Sequence, residues 1–180
     1  APRPIGWISS RGADGSVNLA PYSFFNMFNY APPIIGFASN GLKHTVTNIR
    51  ETGEFCWNLV TRPLAEAMNA TAASVPAGVS EFDVAGLTPS PSRRVGVPHV
   101  AESPVVFECR RTQIVQLSTA AGVAVDTWLV MGEVVGVQVA QDRLAVPLCV
   151  DIGGVDEVAA AGKVGVDDPA RVPDIRAPAP

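Results

Sequence analysis

The sequence predicts a mainly β domain with short helices, a closed antiparallel barrel rather than a doubly wound sheet. Apolar segments are short and turn residues punctuate them throughout. No regular alternation of strand and helix runs along the chain. Two long valine-rich stretches, residues 105–117 and 127–139, are joined by small residues at 120–122, which predicts a paired hairpin.

The elements follow in order. Ile5, Gly6, Trp7, Ile8, Ser9 and Ser10 mix apolar and small polar residues, Asp14-Gly15 is a turn dipeptide, and an extended pattern resumes at Val17. That is a β-hairpin. Pro32-Pro33 forbids helix, and residues 34–38 form a short apolar run of the kind a buried strand gives. Between Lys43 and Glu51 the period changes: Val46 and Ile49 lie three apart, Thr45 is placed to cap, and Gly53 suits the left-handed stop. Residues 54–60 alternate, with Phe55, Trp57 and Leu59 on one face of a strand. Thr61-Arg62-Pro63 opens a second helix that carries Leu64 and Met68 on one side. Recurrent proline and glycine make residues 72–104 mostly loop, around a short strand near 84–88.

With 180 residues, the chain suits one domain with a sizeable core. A net charge of −4 supplies no overall basic field for nucleic acid or an anionic membrane. No apolar run is long enough to span a bilayer, so a cytoplasmic protein is the expectation. Cys56, Cys109 and Cys149 are widely spaced and read as small buried hydrophobes, and neither they nor the two histidines offer metal-ligand spacing. No metal is expected.

Two segments carry candidate chemistry. In Asn18-Leu19-Ala20-Pro21-Tyr22-Ser23, a proline interrupts a strand-like stretch, so this strand lies at an edge or a bulge. Main-chain groups are thereby freed for a flat heteroaromatic edge, with small Ala20 and Ser23 permitting close approach. The alternative is a strand end packed into the core by Phe24 and Phe25. Ser39-Asn40-Gly41-Leu42-Lys43-His44-Thr45 leads from an apolar strand into the first helix. Hydroxyls and a lysine at a helix start make a phosphate site, and a capped, solvated helix start is the plain alternative.

Other residues divide similarly. Trp7, Trp57 and Trp128 read as core or interface anchors, and Tyr22 is the aromatic expected beside a ligand. His99, in a proline-flanked loop, reads as a surface residue. Asn69 is a candidate helix C-cap or site residue, and Glu102 reads as an acceptor for backbone donors in a turn.

The ordered set of motifs resembles the flavin-reductase-like family. It comprises Pro2-Arg3-Pro4-Ile5-Gly6-Trp7, residues 18–26, Pro32-Pro33, Asn48-Ile49-Arg50-Glu51-Thr52-Gly53, Met68-Asn69-Ala70-Thr71, Ser80-Glu81-Phe82, Ala101-Glu102-Ser103-Pro104 and Gly132-Glu133-Val134-Val135. The resemblance covers roughly residues 2–139 and implies an FMN-binding split β-barrel that works as a homodimer. It implies that Asn18, Ala20, Pro21, Tyr22 and Ser23 line the flavin ring and that Ser39, Lys43 and Thr45 hold its phosphate. NADH or NADPH is the implied co-substrate and a monooxygenase a possible recipient of the reduced flavin. The chemistry belongs to the flavin, so no protein catalytic residue is expected. Alternatives are a flavin-carrying electron-transfer protein without its own nicotinamide site and a non-catalytic dimeric module. Residues 140–180 lack the family's ending and any aromatic residue, and are expected to form a divergent tail, packed differently from the family's.

Overall fold

The computed structural model describes residues 3–73, 75 and 79–140, together with the backbone of 149–150. Its framework is an antiparallel sheet built from β1 (Gly6–Arg11), β2 (Val17–Tyr22), β3 (Phe25–Asn29), β4 (Ile34–Asn40), β5 (Glu54–Asn58), β8 (Val105–Ser118) and β9 (Ala124–Val139). The order across the sheet is β2-β1-β5-β8-β9-β4-β3. The short β6 (Pro89–Ser90) and β7 (His99–Val100) form a separate ribbon, and β10 (Cys149–Val150) adds to β9. Among the described residues three α-helices decorate the sheet, α1 (His44–Thr52), α2 (Ala65–Ala70) and α3 (Glu81–Ala85), and a 3-10 turn, Arg62–Leu64, leads into α2.

The opening hairpin forms as expected, with Gly6 opposite Tyr22 and Arg11 opposite Val17. Its turn is held by Asp14, whose Oδ1 accepts from the Ser16 N–H at 2.9 Å and the Ser16 hydroxyl at 2.6 Å. The sheet curls until Tyr22 on β2 packs on Phe37 of β4, ring centroids 4.4 Å apart. Side-chain packing, with no ladder between β2 and β4 among the described residues, brings one end of the sheet against the strand next to its other end. This is the split β-barrel the sequence predicts.

Inside the curl lie Ile8, Ile35, Phe37, Phe55 and Val130, and α1 closes it with Val46 and Ile49. The three-residue spacing of those two puts both on the buried face of the helix. Gly53 ends α1 at φ 78°, its N–H bonded to the Ile49 carbonyl, as its position in the sequence predicts. Outside the curl, Trp7, Leu19, Phe82, Leu87 and Val100 form a second core beneath α2 and α3, and Leu64 and Met68 pack against it together. Cys56, Val95, Val97 and Val106 make a third, under the strap of residues 91–98.

That strap has no ladder to hold it, so side chains from the sheet do so. The buried carboxylate of Glu108 accepts from the N–H groups of Arg93, Arg94 and Val95 and from Gln138 Nε2. Glu54 takes the Gly96 N–H at 2.7 Å, and Asn58 Oδ1 takes that of Val100 at 2.8 Å.

Four expectations need correction. The short strand near residues 84–88 is instead α3: Ser80 caps it by accepting from the Phe82 N–H, and Gly86 ends it at φ 64°. Ser80 and Gly86 bracket a helix so brief that Val84 and Leu87 look strand-like by composition. His99 is buried, not a surface residue, because β7 carries it under the strap, where Ser92 Oγ lies 3.4 Å from its Nδ1. Burial pushes its imidazole pKa below the usual histidine value. Thr45 does not cap α1, whose N-cap position belongs to Lys43. Asn69 does not cap α2 either, since Thr71 holds that place. The strand β3 was not foreseen, since residues 24–28 carry no alternation, and the predicted tail lies outside the described residues apart from Ala140 and β10.

Candidate functional site: the start of helix α1

The turn between β4 and α1 fixes the site. Gly41 sits at φ 88°, a conformation costly for other residues, with its N–H on the Asp126 carbonyl at 2.8 Å. Ser39 Oγ donates to the Gly41 carbonyl at 2.9 Å and braces the same turn. The chain then enters α1, whose first main-chain bond runs from the Thr47 N–H to the Lys43 carbonyl at 3.0 Å. The N–H groups of His44, Thr45 and Val46 therefore have no acceptor within the helix. No side chain caps this end, and its first turn holds no acidic residue. The sequence places lysine and histidine at the positive end of a helix dipole, where Asp, Ser or Thr is the usual stabilising choice. Such an arrangement suits an external anion.

A cavity of about 420 Å³ lies against this helix start. Asn18, Ala20, Pro21, Tyr22, Lys43 and Thr45, six of the eight residues singled out from the sequence, line it. The structure brings these together across the gap between β2 and α1. Two do not join them. Ser39 is fully buried with its hydroxyl committed to Gly41, and Ser23 opens on a separate apolar hollow of about 710 Å³ with Phe24, Phe28 and Leu129. Arg3 lines the same hollow and lies over the Phe24 ring, 4.9 Å from its centroid.

Pro21 stands inside β2 opposite Trp7, and β2 is an edge of the sheet, as a strand proline requires. Tyr22 is buried, which pushes its phenol pKa up despite the neighbouring hydroxyls of Thr45 and Ser39. Neither makes a hydrogen bond of good geometry with it, and the Tyr22 hydroxyl has no partner among the described residues. An orphaned buried hydroxyl, an uncapped helix start and a lysine at one cavity fit a phosphorylated ligand carrying further polar groups.

Glu81 also belongs to this wall, and sequence reasoning did not single it out as a site residue. It opens α3, is 7% exposed, and accepts the Leu19 N–H at 3.1 Å. Its signals in the sequence were the cap residue Ser80 before it and its place in the Ser80-Glu81-Phe82 motif of the family resemblance. Beyond Asn18, His44 and Glu81 lies an adjoining cavity of about 560 Å³ that also meets Asp14 and Glu51. Carboxylates on that side disfavour phosphate there and leave the Lys43 side as the place for an anion.

Residues 1–159 match the family of the flavin reductase like domain. The chain belongs to that family. An uncharacterized protein of Deinococcus radiodurans is 38% identical over 152 residues, covering 79% of this chain and 64% of that protein. The chain thus spans under two thirds of that relative's length. Nitrilotriacetate monooxygenase component B from Bacillus cereus is similar in structure, with a TM-score of 0.73 and 30% identity, over 83% of this chain and 76% of that one. A 2-nitrobenzoate 2-nitroreductase from Pseudomonas fluorescens gives a TM-score of 0.70 and 26% identity, over 96% and 88%. Among the described residues no helix is long and apolar enough to cross a membrane.

Proposed function

We propose that the chain is a flavin reductase that binds FMN and reduces it with NADH or NADPH. The observation that carries this reading is the uncapped start of α1, where Lys43 and three N–H groups without an acceptor in the helix meet a cavity lined by Asn18, Ala20, Pro21, Tyr22 and Thr45. When bound, the flavin supplies the chemistry, taking a hydride from the reduced nicotinamide. The chain's own residues bind and orient. Lys43, the α1 N–H groups and Thr45 hold the phosphate, while Asn18 and the edge of β2 from Ala20 to Tyr22 face the polar rim of the flavin. Ser23 extends that edge toward the apolar hollow.

The family membership and the likeness to a monooxygenase component support a role in handing reduced flavin to a partner monooxygenase. A homodimer is part of the same proposal. Phe24 and Phe28 are about half exposed and Tyr30 is 89% exposed, on or beside the edge strand β3, which is more aromatic surface than a lone domain usually leaves bare. Light scattering is expected to give twice the chain mass.

The experiment is an FMN titration followed by NADH or NADPH oxidation at saturating flavin. The expected result is saturable binding and steady oxidation of one nicotinamide. Binding without oxidation turns the protein into an electron carrier, and no binding refutes the reading.

A further inference from the structure

Glu81 raises a question that the flavin reading does not answer, because a nine-tenths buried carboxylate borders the cavity assigned to a phosphate. Its contacts with β2 supply an answer. The side-chain amide of Asn18, itself 8% exposed, can be set in either of two ways. With its nitrogen toward Thr45, Nδ2 donates to Oγ1 at 2.8 Å, and the amide oxygen then faces the Glu81 carboxylate, acceptor against acceptor. With the amide turned over, Nδ2 donates to Glu81 Oε1 at 3.2 Å, while Oδ1 accepts from Thr45 Oγ1 at 2.8 Å and from the Leu19 N–H at 3.1 Å. Only the second setting gives every group a partner, and its charge-assisted bond to Glu81 strengthens the preference.

The choice has a consequence for Thr45. In the setting Glu81 favours, the Thr45 proton is committed to Asn18 and only lone pairs remain to meet a ligand. In the other, the Thr45 oxygen accepts from Asn18 and its proton is free. A phosphate needs donors. We propose that Glu81 is a positioning residue that, by fixing the Asn18 amide, withholds the Thr45 hydroxyl proton from the ligand's phosphate and so limits how tightly the flavin is held. Binding through Thr45 then requires the Asn18 amide to turn over against Glu81. This rests on the flavin-phosphate reading above, and it describes a site tuned for flavin that exchanges.

The test measures dissociation constants for FMN and riboflavin in wild type, Glu81→Gln, Thr45→Val and the double variant. Glu81→Gln keeps an oxygen for the Leu19 N–H and removes the charge that holds Asn18. It is expected to tighten FMN about tenfold, the scale of one hydrogen bond to a charged group, with riboflavin little changed. In the Thr45→Val background the gain should largely vanish. A gain that persists in full there means the lost charge acts directly on the phosphate, and it overturns the relay through Asn18. An unchanged FMN-to-riboflavin ratio overturns it too. Should Glu81→Gln disturb folding, Asn18→Ala removes the acceptor of the Thr45 proton directly and must raise the same ratio; failure to do so counts against the proposal. Wild-type protein that binds neither ligand refutes the parent reading, whereas wild-type binding with no response to these variants refutes the role of Glu81 alone.

Discussion

Replacing Lys43 by alanine separates an anion site from a helix end that merely carries a solvated lysine. A charge-assisted hydrogen bond to phosphate is worth about 1.5–3 kcal/mol. Lys43 is exposed at the mouth of the cavity, so solvent screening favours the lower part of that range. Lys43→Ala should weaken FMN by roughly tenfold or somewhat more, while riboflavin, which lacks the phosphate, changes much less. The unliganded variant should move the other way. A cation at the positive end of a helix dipole is unfavourable, and its removal should leave the free protein as stable as wild type or stabler by up to about 1 kcal/mol. Fluorescence titration of both ligands, paired with urea denaturation without ligand, reads both effects. Added salt should weaken FMN binding more in wild type than in the variant. Equal affinities of wild type and variant for FMN would refute the assignment, and so would equal losses for both ligands.

Three further outcomes follow from the packing. Glu108→Ala strips the acceptor from three backbone N–H groups and Gln138, and should cost about 3 kcal/mol or more in urea denaturation, with residues 91–98 becoming the first protease-sensitive segment. Burial pushes the Cys56 thiol pKa to about 12 and raises that of Cys109 as well, so iodoacetamide at pH 8 should leave both unmodified in the native protein and label both in urea, as peptide mass spectrometry would show. Burial lowers the folded pKa of His99 below its unfolded one; the unfolded chain binds the extra proton, so its contribution is intact above the usual histidine value and is lost as pH falls from there through the lowered folded value. His99→Gln should lessen the stability difference between pH 7.5 and pH 5, and an undiminished difference would place the effect elsewhere.

The parts of this fold that the sequence made legible are those with a local physical signature. The opening hairpin was readable from Asp14-Gly15, the end of α1 from Gly53, and the β8–β9 ribbon from its valines. Pro21 announced an edge or a bulge, and β2 is an edge. Within the candidate site, Asn18, Ala20, Pro21, Tyr22, Lys43 and Thr45 do meet at one cavity, although two segments so far apart in the chain carry no local mark of that meeting. The resemblance of the ordered motifs supplied it. What stayed hidden was set by tertiary contact. Ser39 looks like a ligand because serine before a helix often is one, yet its hydroxyl serves the Gly41 turn. His99 looks like surface because prolines flank it, yet a two-residue ribbon carries it inward. Glu81 reads as an ordinary first-turn acid, and only the folded chain shows its carboxylate against β2.

The position of β4 in the sheet bears on how the protein is made. The phosphate side of the proposed site is encoded early, by residues 18–45, but β4 finds its main partner in β9: Ile34 pairs with Glu133 and Asn40 with Thr127. During synthesis the apolar strand of residues 34–38 has only β3 as a partner, through pairs such as Phe37 with Phe25, and its other edge must wait for nearly the whole barrel to emerge. Pairings so distant along the chain make folding slow and leave a sticky edge exposed meanwhile. The proposed flavin site would be incomplete at that stage, because the turn at Gly41 takes its anchor from Asp126. On that reading flavin binding follows assembly of the barrel, and truncations that stop short of β9 should lose both together.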